Sequence, residues 1–225
     1  MKTVCIVQAR MGSKRFPGKV LQDLHGYPVL EHVLARCTMI QGIDDVVLAV
    51  PDEMASDELE AVADKLEIPT FRGPEDDVLK RYALAAKQYK ADVIMRITSD
   101  CPLIDPWAAA LVLAPVKAGE CEYCSNVHPR TYEKGLDAEA FTRWALTVAD
   151  RDAGKKRDRE HVTPYIIDHP SFRQVNVSSP IKRDPNINFS VDTKEDLERV
   201  SAEFLRRYPD WSKKNDSVPA GSHST

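Results

Sequence analysis

Four cations lie within one short stretch, Gln8-Ala9-Arg10-Met11-Gly12-Ser13-Lys14-Arg15-Phe16-Pro17-Gly18-Lys19, and that density of charge suits a polyphosphate. Arg10, Lys14, Arg15 and Lys19 supply the charge, while Gly12 and Gly18 let the backbone turn sharply and approach a ligand closely. The amide groups of Met11, Gly12 and Ser13 add hydrogen-bond donors for phosphate oxygens. Neither common phosphate motif is present. A Walker loop needs G-x-x-x-x-G-K followed by Ser or Thr; here five residues separate Gly12 from Gly18, and Val20 follows Lys19. The dinucleotide fingerprint G-x-G-x-x-G is absent as well.

Two acids complement these cations. Asp100, in Thr98-Ser99-Asp100-Cys101-Pro102-Leu103-Ile104-Asp105, follows an apolar run and is suited to hold a magnesium ion that bridges phosphate oxygens, with a cap on the next helix as the alternative role. Asp105, directly before Pro106, reads instead as a helix cap. Asp192 lies between an apolar run and a helical pattern, and by residue type alone its role there is the N-cap. Asn126, Arg130, Lys134, Asp137, Glu139 and His161 are the polar residues gathered in the second half, each a candidate contact for a second substrate or else a surface or capping residue. His161, with an unperturbed pKa of about 6.5, is either a general base or a hydrogen-bonded structural histidine. Of the five cysteines, Cys121 and Cys124 have redox or metal spacing, but no second pair or paired histidines accompany them, so a structural role is expected.

These groups need a scaffold that brings them together. Thr3-Val4-Cys5-Ile6-Val7 is short and β-branched enough for a buried strand, and Val29 to Arg36 has helical spacing, so the basic stretch is a strand-to-helix loop. Gly26-Tyr27-Pro28 signals a turn into that helix. Further strands are expected at 45–50, 69–73 and 92–97, with helices at 57–66, from Asp76 or Asp77 towards Tyr89, and from Pro106. Such alternation implies a parallel sheet with right-handed crossovers, whose ligands bind at the carboxyl edge. Beyond Lys117 the rhythm changes. Strands are expected at 123–126, 172–177 and 188–191, helices at 142–150 and 194–207, and a mobile loop over the charge run from Arg151 to Arg159. The second half then covers the ligand edge, with 120–180 as a small lobe of a domain spanning 1–207. The polar tail, 208–225, is expected to be disordered.

Composition sets the outer bounds. A chain of 225 residues with 43% hydrophobic and 29% charged residues can bury a substantial core. The net charge of −4 argues against nucleic acid as a partner and leaves the basic loop as a local feature. No apolar run approaches the roughly 20 residues of a membrane span, and the N-terminus enters a strand at once, so a cytoplasmic protein is expected.

Three separated segments resemble one family. Gln8 to Lys19, the run Phe71-Arg72-Gly73 with Glu75-Asp76-Asp77-Val78-Leu79, and Arg96 to Leu103 look like the cytidylyltransferases of the spore-coat-polysaccharide (SpsF-like) type, relatives of the CMP-Kdo and CMP-sialate synthetases. The likeness continues through Gly135 to Glu139, Arg159 to Tyr165 and Val191-Asp192-Thr193. It implies an α/β, Rossmann-like (GT-A-like) nucleotidyltransferase fold with a mostly parallel sheet and a small lid or dimerisation lobe. The implied chemistry is attack of an acceptor oxygen on the α-phosphorus of CTP, with magnesium, by a homodimer. By matching segment, Arg10, Lys14, Arg15 and Lys19 would hold the triphosphate and Gln8 and Ala9 would meet the nucleoside. Arg72 and Asp76 would lie beside cytosine, and Asp100 and Asp192 would be the metal carboxylates, which reverses the capping role for Asp192. The acceptor, an acidic sugar or a smaller molecule, is not specified by these motifs. A glycosyltransferase using a nucleotide sugar and a non-catalytic binding module are the competing readings; the first normally carries an Asp-x-Asp pair, where this chain has Ser99-Asp100-Cys101.

Overall fold

The computed structural model describes residues 1–13 and 15–210. Expectations placed on Lys14 and on the tail beyond residue 210 lie outside the described residues. The centre is strand β1 (Thr3–Gln8), buried on both faces as its β-branched run requires. It pairs in parallel with β4 (Asp45–Pro51) on one side and β6 (Val93–Thr98) on the other. The full order is β5-β4-β1-β6-β8-β7-β9, where β5 is Thr70–Gly73, β7 Tyr123–Ser125, β8 Glu139–Thr142 and β9 Gln174–Asn176. The chain leaves β1 in one direction and later returns on its other side, so a topological switch point lies at the carboxyl ends of β1 and β6. Such a crevice is where open α/β sheets bind ligands.

Side chains alternate strictly across β1. Cys5 and Val7 face the core beneath α1 (Val29–Cys37), α2 (Asp57–Asp64) and α4 (Pro106–Lys117), whereas Val4 and Ile6 face α3 (Val78–Gln88) and α5 (Arg143–Asp152). A third cluster, with Leu24, Tyr132, Phe189, Val191 and Phe204, seats α8 (Lys194–Arg207) beside the switch point. The expected caps are present: Asp77 accepts from Lys80 N at 2.9 Å and Asp105 from Trp107 N at 3.0 Å.

Three expectations are corrected. The segment leading into α1 is a hairpin, β2 (Asp23–Leu24) with β3 (Tyr27–Pro28), rather than a bare turn. The charge run is largely helical, since α5 extends to Asp152 and α6 spans Lys156–His161. A helix of that length is marginal alone; tertiary partners fix it, Arg159 on Asp77 and Asp150, and Arg157 on Asp168 at 2.7 Å. Residues 188–191 form no ladder, because Asn188 Oδ1 accepts from Ser190 N and turns the chain. Strands β7, β8 and β9 extend the main sheet, with β8 antiparallel to β6.

Candidate active site

The basic loop is folded on itself before any ligand arrives. Met11 O accepts from Ser13 N at 2.8 Å and Gly18 N at 3.4 Å, and Ala9 N is tied to Ala49 O on β4. Gly18 sits in the left-handed region, φ +66°, where other residues are strained, and starts the short 3-10 turn Lys19–Leu21. That turn aims Lys19 inward. Its Nζ donates to Asp100 Oδ2 at 2.6 Å and to Asp192 Oδ1 at 2.9 Å. Arg15 reaches Asp192 at 3.0 Å, and Lys134 stands 4.0 Å from its other oxygen.

Three structural devices gather these groups. Asp100 leaves β6 at the switch point, and Cys101 Sγ donates to its Oδ1 at 3.5 Å. Val191 N donates to Asp100 O at 2.8 Å, which joins the two acidic segments through the backbone. Gly135, φ +91°, permits this approach: a Cβ there would lie 2.5 Å from the Phe189 and Ser190 backbone. Asp192 is free for the site because it is not the cap of α8. Thr193 is, in a reciprocal capping box with Asp196.

The electrostatics agree with the geometry. Burial opposes the Lys19 charge, but Asp100 and then Asp192 outweigh it and hold the ammonium above the ordinary lysine value. Burial pushes the Asp192 carboxyl up, yet Lys19, Arg15 and Lys134 bring it below the ordinary range. Gln8 adds a buried Oε1 with no partner at the end of β1. Arg10, Gly12 and Asp76 are exposed at the same carboxyl edge. Arg72 is turned away onto α2, where it bonds Glu60 and Asp57 and the Glu53 carbonyl; alternation along β5 puts Phe71, not Arg72, on the α3 side.

The residues expected around the second substrate divide. Asn126 is wholly buried, its amide bridging Leu136 O at 2.8 Å and Ala138 N at 2.9 Å, so it braces a loop. Asp137, Glu139 and His161 line a cavity of about 280 Å³ beside Thr98. Arg130 stands behind it and grips Asp137 with two bonds, at 2.5 and 2.8 Å. Glu139 is paired with Arg96, its cross-strand neighbour, and accepts from Tyr123 OH at 2.6 Å. Arg96, His128, Arg157 and Thr163 also line this cavity and were not expected. Their signal lay only in pairing: Arg96 and Glu139 are opposite charges that meet once β8 is known to run against β6.

The chain is similar to known proteins over most of its length. A family model described as cytidylyltransferase matches residues 4–215. The spore coat polysaccharide biosynthesis protein SpsF of Bacillus subtilis is 33% identical over 208 residues, 89% of this chain and 85% of that protein. A 3-deoxy-manno-octulosonate cytidylyltransferase of Anaeromyxobacter dehalogenans is 34% identical over 236 residues, covering 88% of this chain and 95% of that one. A solved structure of a cytidylyltransferase from Leptospira borgpetersenii serovar Hardjo-bovis aligns with a TM-score of 0.85 at 29% identity, across 99% of this chain and 100% of that chain.

Proposed function

The chain belongs to the cytidylyltransferase family, and from that premise we propose that it transfers CMP from CTP to an acidic sugar or related small acceptor in surface polysaccharide synthesis, releasing pyrophosphate. One observation carries the reading. Lys19, Asp100 and Asp192, up to 173 residues apart in sequence, converge on one ammonium group at the switch point of the sheet.

The cations of the basic loop, Arg10, Arg15 and Lys19, hold the triphosphate. Negative charge grows on the α-phosphate oxygens and on the departing pyrophosphate, and fixed cations aimed there lower the barrier without reorganising. Two carboxylates that already share a cation, and offer oxygen ligands alone, fit a hard divalent ion that takes its remaining ligands from phosphate and water. We assign Asp100 and Asp192 as those ligands and magnesium as the ion; when bound it neutralises phosphate charge and aligns the α-phosphorus. The acceptor occupies the cavity beside Thr98, where Asp137 and Glu139 take its hydroxyls and His161 removes the proton from the attacking oxygen. A homodimer in the cytoplasm completes the proposal; among the described residues no helix is long and apolar enough to cross a membrane.

The test is thermal stabilisation by magnesium with each of CTP, ATP, GTP, UTP and a UDP-sugar, followed by pyrophosphate release with a panel of acidic sugars. A ligand that binds the folded state alone raises the melting temperature by mass action. The expected outcome is a shift selective for CTP that is weakened in Asp100→Asn. A shift with the UDP-sugar alone would overturn the proposal.

A further inference from the structure

Among the described residues, Arg81 of α3 is a buried cation that no carboxylate partners. It is 1% exposed. Its Nη1 donates to the carbonyl of Pro74 at 2.6 Å and to that of Glu75 at 3.4 Å, and its Nε is buried without a partner. Lys19, Arg96, Arg130 and Arg159, also largely enclosed, each face a carboxylate. Burial lowers the affinity of Arg81 for its proton, and the nearby charge of Arg10 acts in the same direction, against Tyr82, Glu75 and Asp77. Taking a charge out of water is costly, and two carbonyl bonds offset that cost less well than a carboxylate would.

What Arg81 does hold is a loop. Gly73 to Asp77 leaves β5 at the carboxyl edge, two strands from the basic loop and so about 10 Å along it. Asp52 N donates to Gly73 O at 2.9 Å, joining the loop to the exit of β4. The loop rests directly on the arginine stem, since a Cβ on Gly73 would lie 2.8 Å from Phe71 Cε1 and 3.2 Å from Arg81 Cγ. Pro74 and Glu75 themselves are exposed.

A loop that presents carbonyl oxygens can tell two pyrimidines apart. Cytosine offers an amino donor at the position where uracil offers an oxygen acceptor. A backbone carbonyl has two lone pairs, so one bound by Arg81 still has another, and Pro74 has no N–H with which to satisfy uracil. We propose that Arg81 is a positioning residue for nucleobase choice: it fixes the Pro74 and Glu75 carbonyls so that the loop after β5 accepts the amino group of cytosine and refuses uracil. This rests on the reading of the protein as a CTP-dependent enzyme.

The experiment is calorimetric titration with CTP and with UTP, magnesium present, of the wild type, Arg81→Met, Arg81→Lys and Gly73→Ala, with melting temperatures alongside. Arg81→Met is expected to melt at or above the wild-type temperature. Its CTP affinity falls about tenfold, the worth of one good hydrogen bond, while UTP affinity changes less. Arg81→Lys recovers part of the preference, and Gly73→Ala loses part of it by displacing the stem. Should Arg81→Met fail to fold, the other two variants decide. A preference for CTP unchanged in the variants, whatever their melting temperatures, overturns the inference alone, as does a wild type that binds both nucleotides equally. A wild type that binds neither overturns the proposed function and this inference together.

Discussion

Two clusters each set a pair of aspartates around a central cation, and they differ in what they leave free. Around Arg159, Asp77 and Asp150 engage every nitrogen of a guanidinium: Nε bonds both Asp77 oxygens at 2.9 and 3.0 Å, Nη2 bonds Asp77 at 2.5 Å and Asp150 at 3.0 Å, and Nη1 bonds the Asp150 carbonyl at 2.7 Å. Lys80 neutralises Asp150 from the other side. Around Lys19, Asp100 and Asp192 share a point charge, with Arg15 and Lys134 as neighbours that are 68% and 50% exposed. The first cluster is saturated and locks α3, α5 and α6 together. The second retains oxygen lone pairs and ammonium donors that face the crevice. A pair of aspartates around a central cation thus serves different ends in the two clusters, and spare hydrogen-bonding capacity marks the working one.

The contrast can be broken most sharply at the open cluster. Lys19→Ala or Asp100→Asn should lower CMP transfer by about 10²- to 10³-fold, as loss of one preorganised group does, while melting temperature stays close to wild type. Turnover near the wild-type rate in either variant would remove these residues from the site. In the saturated cluster the effects reverse. Asp150→Ala removes two ion pairs from a part-buried network and should cost about 1–2 kcal/mol, or roughly 2–8 °C in a chain of this size, with the CTP-induced shift retained.

A pH scan sharpens the same comparison. The Asp192 carboxyl is depressed, so the stability it contributes is present above the ordinary aspartate value of 3.8 and is lost as pH falls through its lower folded value. Lys19 is raised, so its contribution is present below 10.5 and is lost as pH rises through its higher folded value. Melting temperature is expected to fall at both extremes, and less steeply in Lys19→Met; equal acid and alkaline falls in that variant would show that the cluster contributes nothing. The smallest effect belongs to Arg72. Because its guanidinium is engaged on α2, Arg72→Gln should leave the CTP-induced shift unchanged, and loss of that shift would return Arg72 to the nucleobase.

Much of the first half was legible because its signals are local. The buried run of β1, the basic loop, the caps Asp77 and Asp105 and the strand leading to Asp100 are each written within a dozen residues, and strict alternation of strands and helices then fixes a parallel sheet. Strand β8 was missed because Glu139-Ala140-Phe141-Thr142 is too short to show a period, and α6 because charge without apolar spacing looks like solvated loop. Arg72 and Asn126 carry functional residue types, but which face each occupies depends on strand register and loop closure.

The sequence by itself determined the chemistry available: a strand-to-helix loop dense in cations, a carboxylate just beyond a buried strand, and motifs that resemble one family. Only the tertiary structure decided which of these groups meet. Asp192 joins Lys19 because Thr193 takes over the cap and because Gly135 lets the Phe189 backbone pass close enough for Val191 to bond Asp100. The Gly135–Phe189 and Val191–Asp100 contacts span more than fifty residues, and no local propensity encodes them; they are set by closing the sheet around β1 and burying the third apolar cluster beside it.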